Sequence, residues 1–328
     1  MSAASAPRTV ILGGTGFIGY HAVLELCRRG HRVTVFALDL PADDLLPAGV
    51  ELTLADLDAS SDDELRALLA GQDNLVFAMG ADDRVLPAAP AYAFFHRANV
   101  VSTERVVRLA RQAGLRRAVI CGSYFAYFER TQPHLALAEH HPYIRARRDQ
   151  ARAALEAGQG MVITVLELPY IFGGMPGRVP LWAPLVRYVA SPWPLFYTAG
   201  GTSMVTVERV AEAVAGACER DGHSACLPVG DQDLSWRSFV ETLSRLVGKN
   251  QRMITVPASL VRAGAWFFML YTRLLGKEHG LNPVRFIDMQ TRETTIDAGE
   301  LAASRDLLGF GTGGLEAAFE RTVRDSLK

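Results

Sequence analysis

A chain of 328 residues that is 49% apolar and 21% charged has ample material for a large core, and reads as an ordinary soluble globular protein of one big domain or two intimately joined ones. Its formal net charge of −1 argues against a nucleic-acid groove or a polybasic membrane patch, because both need clustered Lys and Arg. Cys27, Cys121, Cys218 and Cys226 show no C-x-x-C spacing, so neither a zinc knuckle nor a redox pair is expected, and without a secretory leader the expected setting is a reducing cytoplasm.

Residues 1–8 are small and polar and read as a frayed terminus. Thr9-Val10-Ile11-Leu12 then runs into Gly13-Gly14-Thr15-Gly16-Phe17-Ile18-Gly19 and a helical pattern over residues 20–29. A strand, glycines at G-x-x-G-x-x-G spacing and a helix are the first unit of a dinucleotide-binding fold. Gly13 serves the tight turn, Gly16 lets the backbone approach a pyrophosphate, and Gly19 lets helix and strand pack closely. Residues 32–36 form a β-branched second strand whose end selects the coenzyme. There Ala37 and Leu38 precede Asp39, and no Lys or Arg follows, so the residues favour NAD over NADP. Asp39 is either the ribose ligand or a solvated loop carboxylate.

Residues 49–54 make a third strand, with Asp56 placed to meet an adenine amine, and residues 61–69 a helix capped by Ser61 or Asp62. A fourth strand over 74–79 ends at Gly80, a Pro/Ala-rich loop carries Pro87 and Pro90, a long helix spans 92–114, and a fifth strand spans 115–120. This alternation specifies an α/β doubly wound parallel sheet, a Rossmann fold, with its ligand at the carboxyl ends of the strands.

The glycine loop, Ala55-Asp56-Leu57, Asn99-Val100 inside the long helix, Ser123 through Tyr127, Tyr143 at a helix start, residues 166–173 and Val205 through Ala211 together resemble an extended short-chain dehydrogenase/reductase of the NAD-dependent epimerase/dehydratase type. The resemblance covers almost the whole chain. It implies NAD or NADP held by Gly13, Thr15, Gly16, Phe17, Ile18, Gly19, Asp39, Asp56, Leu57, Asn99, Tyr143, Arg147, Pro169 and Tyr170, and no metal. It also implies that residues 1–173 are mainly the dinucleotide-binding domain and 174–328 mainly a smaller C-terminal substrate-binding lobe, with 201–230 returning to the Rossmann core.

The family's chemistry uses a Ser or Thr, a Tyr, and a Lys four residues after that Tyr. By position Ser123 is the hydroxyl that orients the substrate oxygen and Tyr143 the acid/base, while the third place holds Arg147. Arg147 still lies one helical turn from Tyr143 and still brings positive charge, but its fork is bulkier than an ammonium and stays charged. Either Arg147 substitutes with altered geometry, or the triad has decayed. Glu167 and Leu168 likewise stand where the family usually has Arg and Pro; Glu167 is either a polar anchor or an exposed substitution. His134, His140 and His141, in the loop before Tyr143, are candidate proton shuttles.

Residues 290–294 lack the phosphate clamp of nucleotide-sugar enzymes, and the lobe carries Trp182, Trp193 and Phe196. A bulky apolar, natural-product-like ketone or secondary alcohol fits better, unless these aromatics are simply core. Residues 257–276 form an apolar run interrupted by Arg262 and Arg273, too short to span a bilayer; it is expected to pack or to cover substrate rather than dock on a membrane. Residues 307–310 read as a final loop and 315–327 as an amphipathic helix. The expectation is an NAD(P)-dependent oxidoreductase acting on a small molecule. Its rivals are an epimerase or dehydratase with tightly held NAD and a non-catalytic regulator; a homodimer is left open.

Overall fold

The computed structural model describes residues 6–328 apart from Pro41 and Asp43. Residues 1–5 of the expected frayed terminus lie outside the described residues, and Arg8 already opens the first strand. In chain order the first half contains β1 (Arg8–Leu12), α1 (Phe17–Arg28), β2 (Arg32–Ala37), β3 (Glu51–Leu54), α2 (Asp62–Leu69), β4 (Asn74–Phe77), α3 (Ala91–Phe95), α4 (Ser102–Gln112), β5 (Arg117–Cys121), α5 (Tyr124–Thr131), α6 (Leu137–His140), α7 (Pro142–Ala157) and β6 (Val162–Glu167). Then follow β7 (Tyr170–Phe172), α8 (Ala183–Ala190), β8 (Phe196–Tyr197), β9 (Gly201–Thr206), α9 (Val207–Glu219), β10 (Ala225–Pro228), β11 (Gln232–Ser235), α10 (Trp236–Leu246), β12 (Ile254–Thr255), α11 (Ala258–Leu274), α12 (Pro283–Gln290), β13 (Glu293–Thr294), α13 (Ala298–Leu308) and α14 (Leu315–Ser326).

Seven parallel strands form the main sheet in the order β10-β6-β5-β4-β1-β2-β3. Strands buried on both faces are near-continuous apolar runs, and Val10, Ile11 and Leu12 of β1 are fully buried. Ile11 and its neighbours Val35 and Val76 pack on the α1 and α9 side, while Val10, Leu12 and Phe77 pack on the α4 side. The chain winds outward in opposite directions from β1 and β4, so the crevice at their carboxyl ends is where a ligand binds. Ser61 caps α2 in a reciprocal pair: its hydroxyl accepts from Glu64 N at 3.2 Å and Glu64 Oε2 accepts from Ser61 N at 2.7 Å.

The smaller sheet has the order β11-β9-β13 with β7 also paired to β9, and it closes over an aromatic core of Phe172, Trp236, Phe239 and Phe319. Within residues 201–230, β9 belongs to this sheet, whereas α9 packs on α1 and β10 joins the large sheet beside β6. Two expected elements differ. The long helix over 92–114 is interrupted by a π turn at His96–Val101, and Leu307 and Leu308 end α13 rather than forming a loop, Gly309 taking the left-handed cap at φ 66°.

Candidate active site and coenzyme cradle

Leu12 ends β1 where the backbone must reverse, and Gly13 does so at φ 85°, its N–H donating to Phe36 O at 2.7 Å. A Cβ on Gly19 would lie 2.1 Å from Gly13 O, so only glycine lets α1 sit this close to the turn. With Gly16 as cap, the first-turn N–H groups of α1, from Phe17 through Gly19, point out of the helix end with its partial positive charge. This is a cradle for a pyrophosphate. Thr15 is buried within it, and Ile18 reaches the edge of the adjoining cleft.

That cleft, of about 390 Å3, lies at the carboxyl ends of β4, β5 and β6. Tyr124, Phe125, Tyr143, Arg147, Tyr170 and Trp182 form much of its wall, and Pro169 closes the strand end. Tyr143 stands in the first turn of α7, where Pro142 presets the helical backbone, and its N–H donates to Gly280 O at 2.9 Å. One turn on, Arg147 Nε donates to the Tyr143 hydroxyl at 3.0 Å, and Nη1 donates to Gln150 Oε1 at 2.8 Å and to Cys121 O at 3.5 Å. Gln150 is in turn fixed by donating to Thr103 Oγ1 at 2.9 Å.

An Arg N–H only donates, so the phenol oxygen must accept from it and the phenol's own proton is turned away from Arg147, into the cleft. Ser123 caps α5, accepting from Phe125 N at 3.4 Å, and its hydroxyl stands on the same cleft wall as the Tyr143 phenol, whose pKa it helps to lower. Burial pushes the Tyr143 phenol above its ordinary pKa, with the Arg147 charge pulling it down and the Asp83 charge pushing it up. Tyr143 is therefore a neutral phenol, a proton donor, at any ordinary pH.

Several expected ligands are otherwise engaged. Asn99 is wholly buried in the π turn, its Oδ1 accepting from Ala81 N at 2.9 Å and its Nδ2 donating to Ala81 O at 3.1 Å. It shapes the loop after β4. Asp56 Oδ1 accepts from Asp58 N at 2.9 Å in a local turn, with the carboxylate exposed, and Leu57 is buried under Arg105, which donates to its carbonyl at 3.0 Å. Asp39 accepts from Arg178 Nη2 at 2.5 Å, and Arg178 Nε also donates to Thr15 O at 3.3 Å. An Arg does stand at the end of β2 after all, brought from 139 residues away.

Sequence reasoning also passed over Asp83, which faces Tyr143, Tyr124 and Tyr170 from the cleft rim. Crowding of its carboxyl and the neighbouring Asp82 raise its pKa, although the residue keeps an open outer edge. The run Asp82-Asp83 directly after the fourth strand was the available signal.

None of His134, His140 and His141 lines the cleft. His141 is buried behind Phe286, its Nδ1 accepting from Asn282 N at 3.0 Å, and burial lowers its pKa to about 4. A ring held neutral this way is a structural acceptor, and the shuttle role is withdrawn. It gives a pH-dependent stability. Unfolded His141 takes a proton near 6.5 and folded His141 only near 4, so stability is full above that window and declines as pH falls through it. At about 1.4 kcal/mol per pH unit the loss reaches roughly 3 kcal/mol. Urea unfolding between these pH values should show it, and His141→Asn should flatten it; equal slopes in both proteins would refute the assignment.

Glu167 is buried, not exposed, and accepts from Arg130 Nη2 at 2.9 Å, tying the end of α5 to β6; burial raises its pKa and Arg130 opposes the rise. Of the lobe aromatics, Trp182 lines the cleft, stacked on Phe172 at 4.8 Å, whereas Trp193 and Phe196 are exposed and form neither cleft nor core.

Residues 13–174, which contain both the cradle and the cleft, match a family model described as NAD(P)H-binding. A ketoreductase of Stigmatella aurantiaca, named for 4-hydroxy-2-methyl-3-oxo-4-farnesyl-3,4-dihydroquinoline-1-oxide, is 27% identical over 79% of this chain and 78% of its own length. The human sterol-4-alpha-carboxylate 3-dehydrogenase, decarboxylating, is 31% identical over 38% of this chain, and the match spans only 31% of its length. Residues 13–174 are thus an NAD(P)H-binding domain, and the chain as a whole is similar to extended short-chain dehydrogenases/reductases. The solved structure of gox2253 superposes over 97% of both chains with a TM-score of 0.78 at 19% identity, so the two share one fold.

Its coenzyme is therefore a nicotinamide dinucleotide. The cradle fits one: a Cβ on Gly13 would lie 2.7 Å from Ala78 O, and the N–H groups of α1 are turned to the crevice. Among the described residues no group of three or more His, Cys, Asp or Glu is arranged to hold a metal ion.

Proposed function

We propose that the protein is a ketoreductase that converts the carbonyl of a bulky, largely apolar molecule to a secondary alcohol with NAD(P)H. The observation that carries this reading is the phenol of Tyr143, kept neutral by burial, its lone pair occupied by Arg147 and its proton free toward the cleft. When bound, the nicotinamide supplies the hydride to the carbonyl carbon. Tyr143 gives its proton to the carbonyl oxygen, and the Ser123 hydroxyl hydrogen-bonds the same oxygen. The fixed charge of Arg147 stabilises the phenolate left behind, and its Nη2, which has no protein partner among the described residues, is the group available to a coenzyme hydroxyl.

The substrate class rests on the aromatic wall of the cleft and on the farnesyl-bearing substrate named for the Stigmatella relative. Residues 293–294 pair as β13 with β9 instead of forming an anion clamp, which speaks against a nucleotide-sugar. Incubating the protein and NAD(P)H with isoprenoid or polycyclic ketones, and separately with UDP-glucose, tests the class. The ketone is expected to consume coenzyme in proportion to alcohol formed. Turnover of UDP-glucose without net coenzyme consumption would instead make the protein an epimerase.

Asp39 and Arg178 govern coenzyme choice in this reading. Asp39 accepts from the ribose hydroxyls of NAD and repels a 2′-phosphate, while Arg178, freed from it, attracts one. Asp39→Ala is expected to move the ratio of NADH to NADPH affinity at least about tenfold toward NADPH, since a charge-assisted hydrogen bond contributes roughly 1.5–3 kcal/mol. Fluorescence titration of both coenzymes checks it, and an unchanged ratio would remove both residues from the coenzyme site.

A further inference from the structure

We propose that α11 lies in the plane of an anionic phospholipid surface, with its outer face among the acyl chains. A surface helix ordinarily turns its apolar stripe inward and polar residues outward. Here the stripe of Val261, Ala265, Met269 and Thr272 faces the protein and packs on α12, yet the outward side is apolar as well. Leu260 is 64% exposed, Phe267 66%, Tyr271 60% and Leu274 79%, with Trp266 and Leu275 also open. The expectation that residues 257–276 pack holds for this inner stripe and leaves the outer face unaccounted for. So large and continuous an exposed apolar patch marks an interaction surface.

Charge selects the occupant. Residues 258–277 contain Arg262, Arg273 and Lys277 and no Asp or Glu. Arg262 is paired with Asp288 at 2.6 Å, while Arg273 and Lys277 have no ion pair among the described residues. A second copy of this helix would bring cations and no carboxylate of its own, whereas an anionic lipid headgroup layer complements it. Trp266 and Tyr271 are residue types that favour the headgroup boundary. The near-neutral charge of the whole chain had masked this local excess. At 17 residues the helix is about 26 Å long, shorter than the ~30 Å bilayer core, so it lies along the surface; among the described residues no helix is long and apolar enough to cross a membrane.

The helix is coupled to the cleft. The loop that follows it holds the start of α7 through Tyr143 N to Gly280 O at 2.9 Å and Asn282 N to His141 Nδ1 at 3.0 Å. A cavity of about 480 Å3 separates Met269 and Thr272 of α11 from Pro142, next to Tyr143. Docking would present that cavity to the lipid from which an apolar ketone arrives; this last step rests on the proposed function, and the docking itself does not.

Flotation of the full chain with phosphatidylcholine vesicles, with and without phosphatidylserine, tests the docking. The protein is expected to float with the mixed vesicles and to bind pure phosphatidylcholine on the order of tenfold more weakly. The double variant Phe267→Asp/Leu274→Asp should lose binding at least about tenfold with coenzyme affinity unchanged, which also shows that it folds. Arg273→Gln/Lys277→Gln should lose only the preference for phosphatidylserine. Failure of the unaltered protein to float with either vesicle would overturn the proposal. So would undiminished binding by Phe267→Asp/Leu274→Asp, or a solution dimer that this variant dissociates while vesicles go unbound.

Discussion

Replacing Tyr143 by Phe is expected to lower kcat by roughly 10²- to 10⁴-fold, the contribution of one positioned acid, while coenzyme affinity stays within about twofold. The substitution removes only the hydroxyl. The ring still packs edge-on against Phe95 at 5.5 Å and Phe125 at 6.3 Å, so α7 keeps its place. What is lost is the one neutral proton donor that Arg147 contacts on the cleft wall it shares with Ser123. Undiminished turnover would move the acid elsewhere, and Asp83, whose carboxyl is also held toward its protonated form, would be the group to replace next.

Arg147→Met removes a charge and three hydrogen bonds at once. Gln150 Oε1 and Cys121 O lose their donor inside the protein, at a cost of about 1–3 kcal/mol for each buried group left unsatisfied, so the urea midpoint should fall. Two kinetic effects should accompany it. The rate should drop about hundredfold, because the phenolate left by proton transfer loses its neighbouring charge. The basic limb of the pH profile should move upward, because Arg147 is what lowers the Tyr143 pKa against burial. Arg147→Lys keeps the charge, but a single ammonium does not reproduce the planar fork that spans Tyr143, Gln150 and Cys121, so it is expected to recover part of the rate and little of the stability. A lowered rate with an unmoved basic limb would mean that Arg147 only holds the helix together.

The parts of this fold written into local backbone demands were legible in the sequence. Gly13 and Gly19 stand where a left-handed turn and a 2.1 Å approach admit nothing larger, and the apolar runs of β1, β4 and β5 announce a sheet buried on both faces. Ser123, Tyr143 and Arg147 were found by position and converge on one cleft. What stayed hidden depends on contacts between distant segments. Asn99 sits in a helical stretch, and nothing local says that its amide is taken up by Ala81 across a π turn. Arg178 meets Asp39, and Arg130 meets Glu167, only because the lobe and α5 fold back. The histidines before Tyr143 are polar in sequence, yet the loop that follows α11 buries His141. For α11 an apolar run predicts packing, which the inner stripe fulfils on α12, but composition alone does not show that the outer face is apolar and exposed too.

The most direct test of the account is the fate of the hydride. The protein should be supplied with coenzyme deuterated at the transferring carbon of the nicotinamide and with an apolar cyclic ketone, and the product examined by mass spectrometry and NMR. One deuterium at the new carbinol carbon for each coenzyme oxidised is the predicted result, abolished in Tyr143→Phe. A substrate returned as its own isomer with the coenzyme pool unchanged, or a bound coenzyme that never loses its deuterium to any ketone, would contradict it.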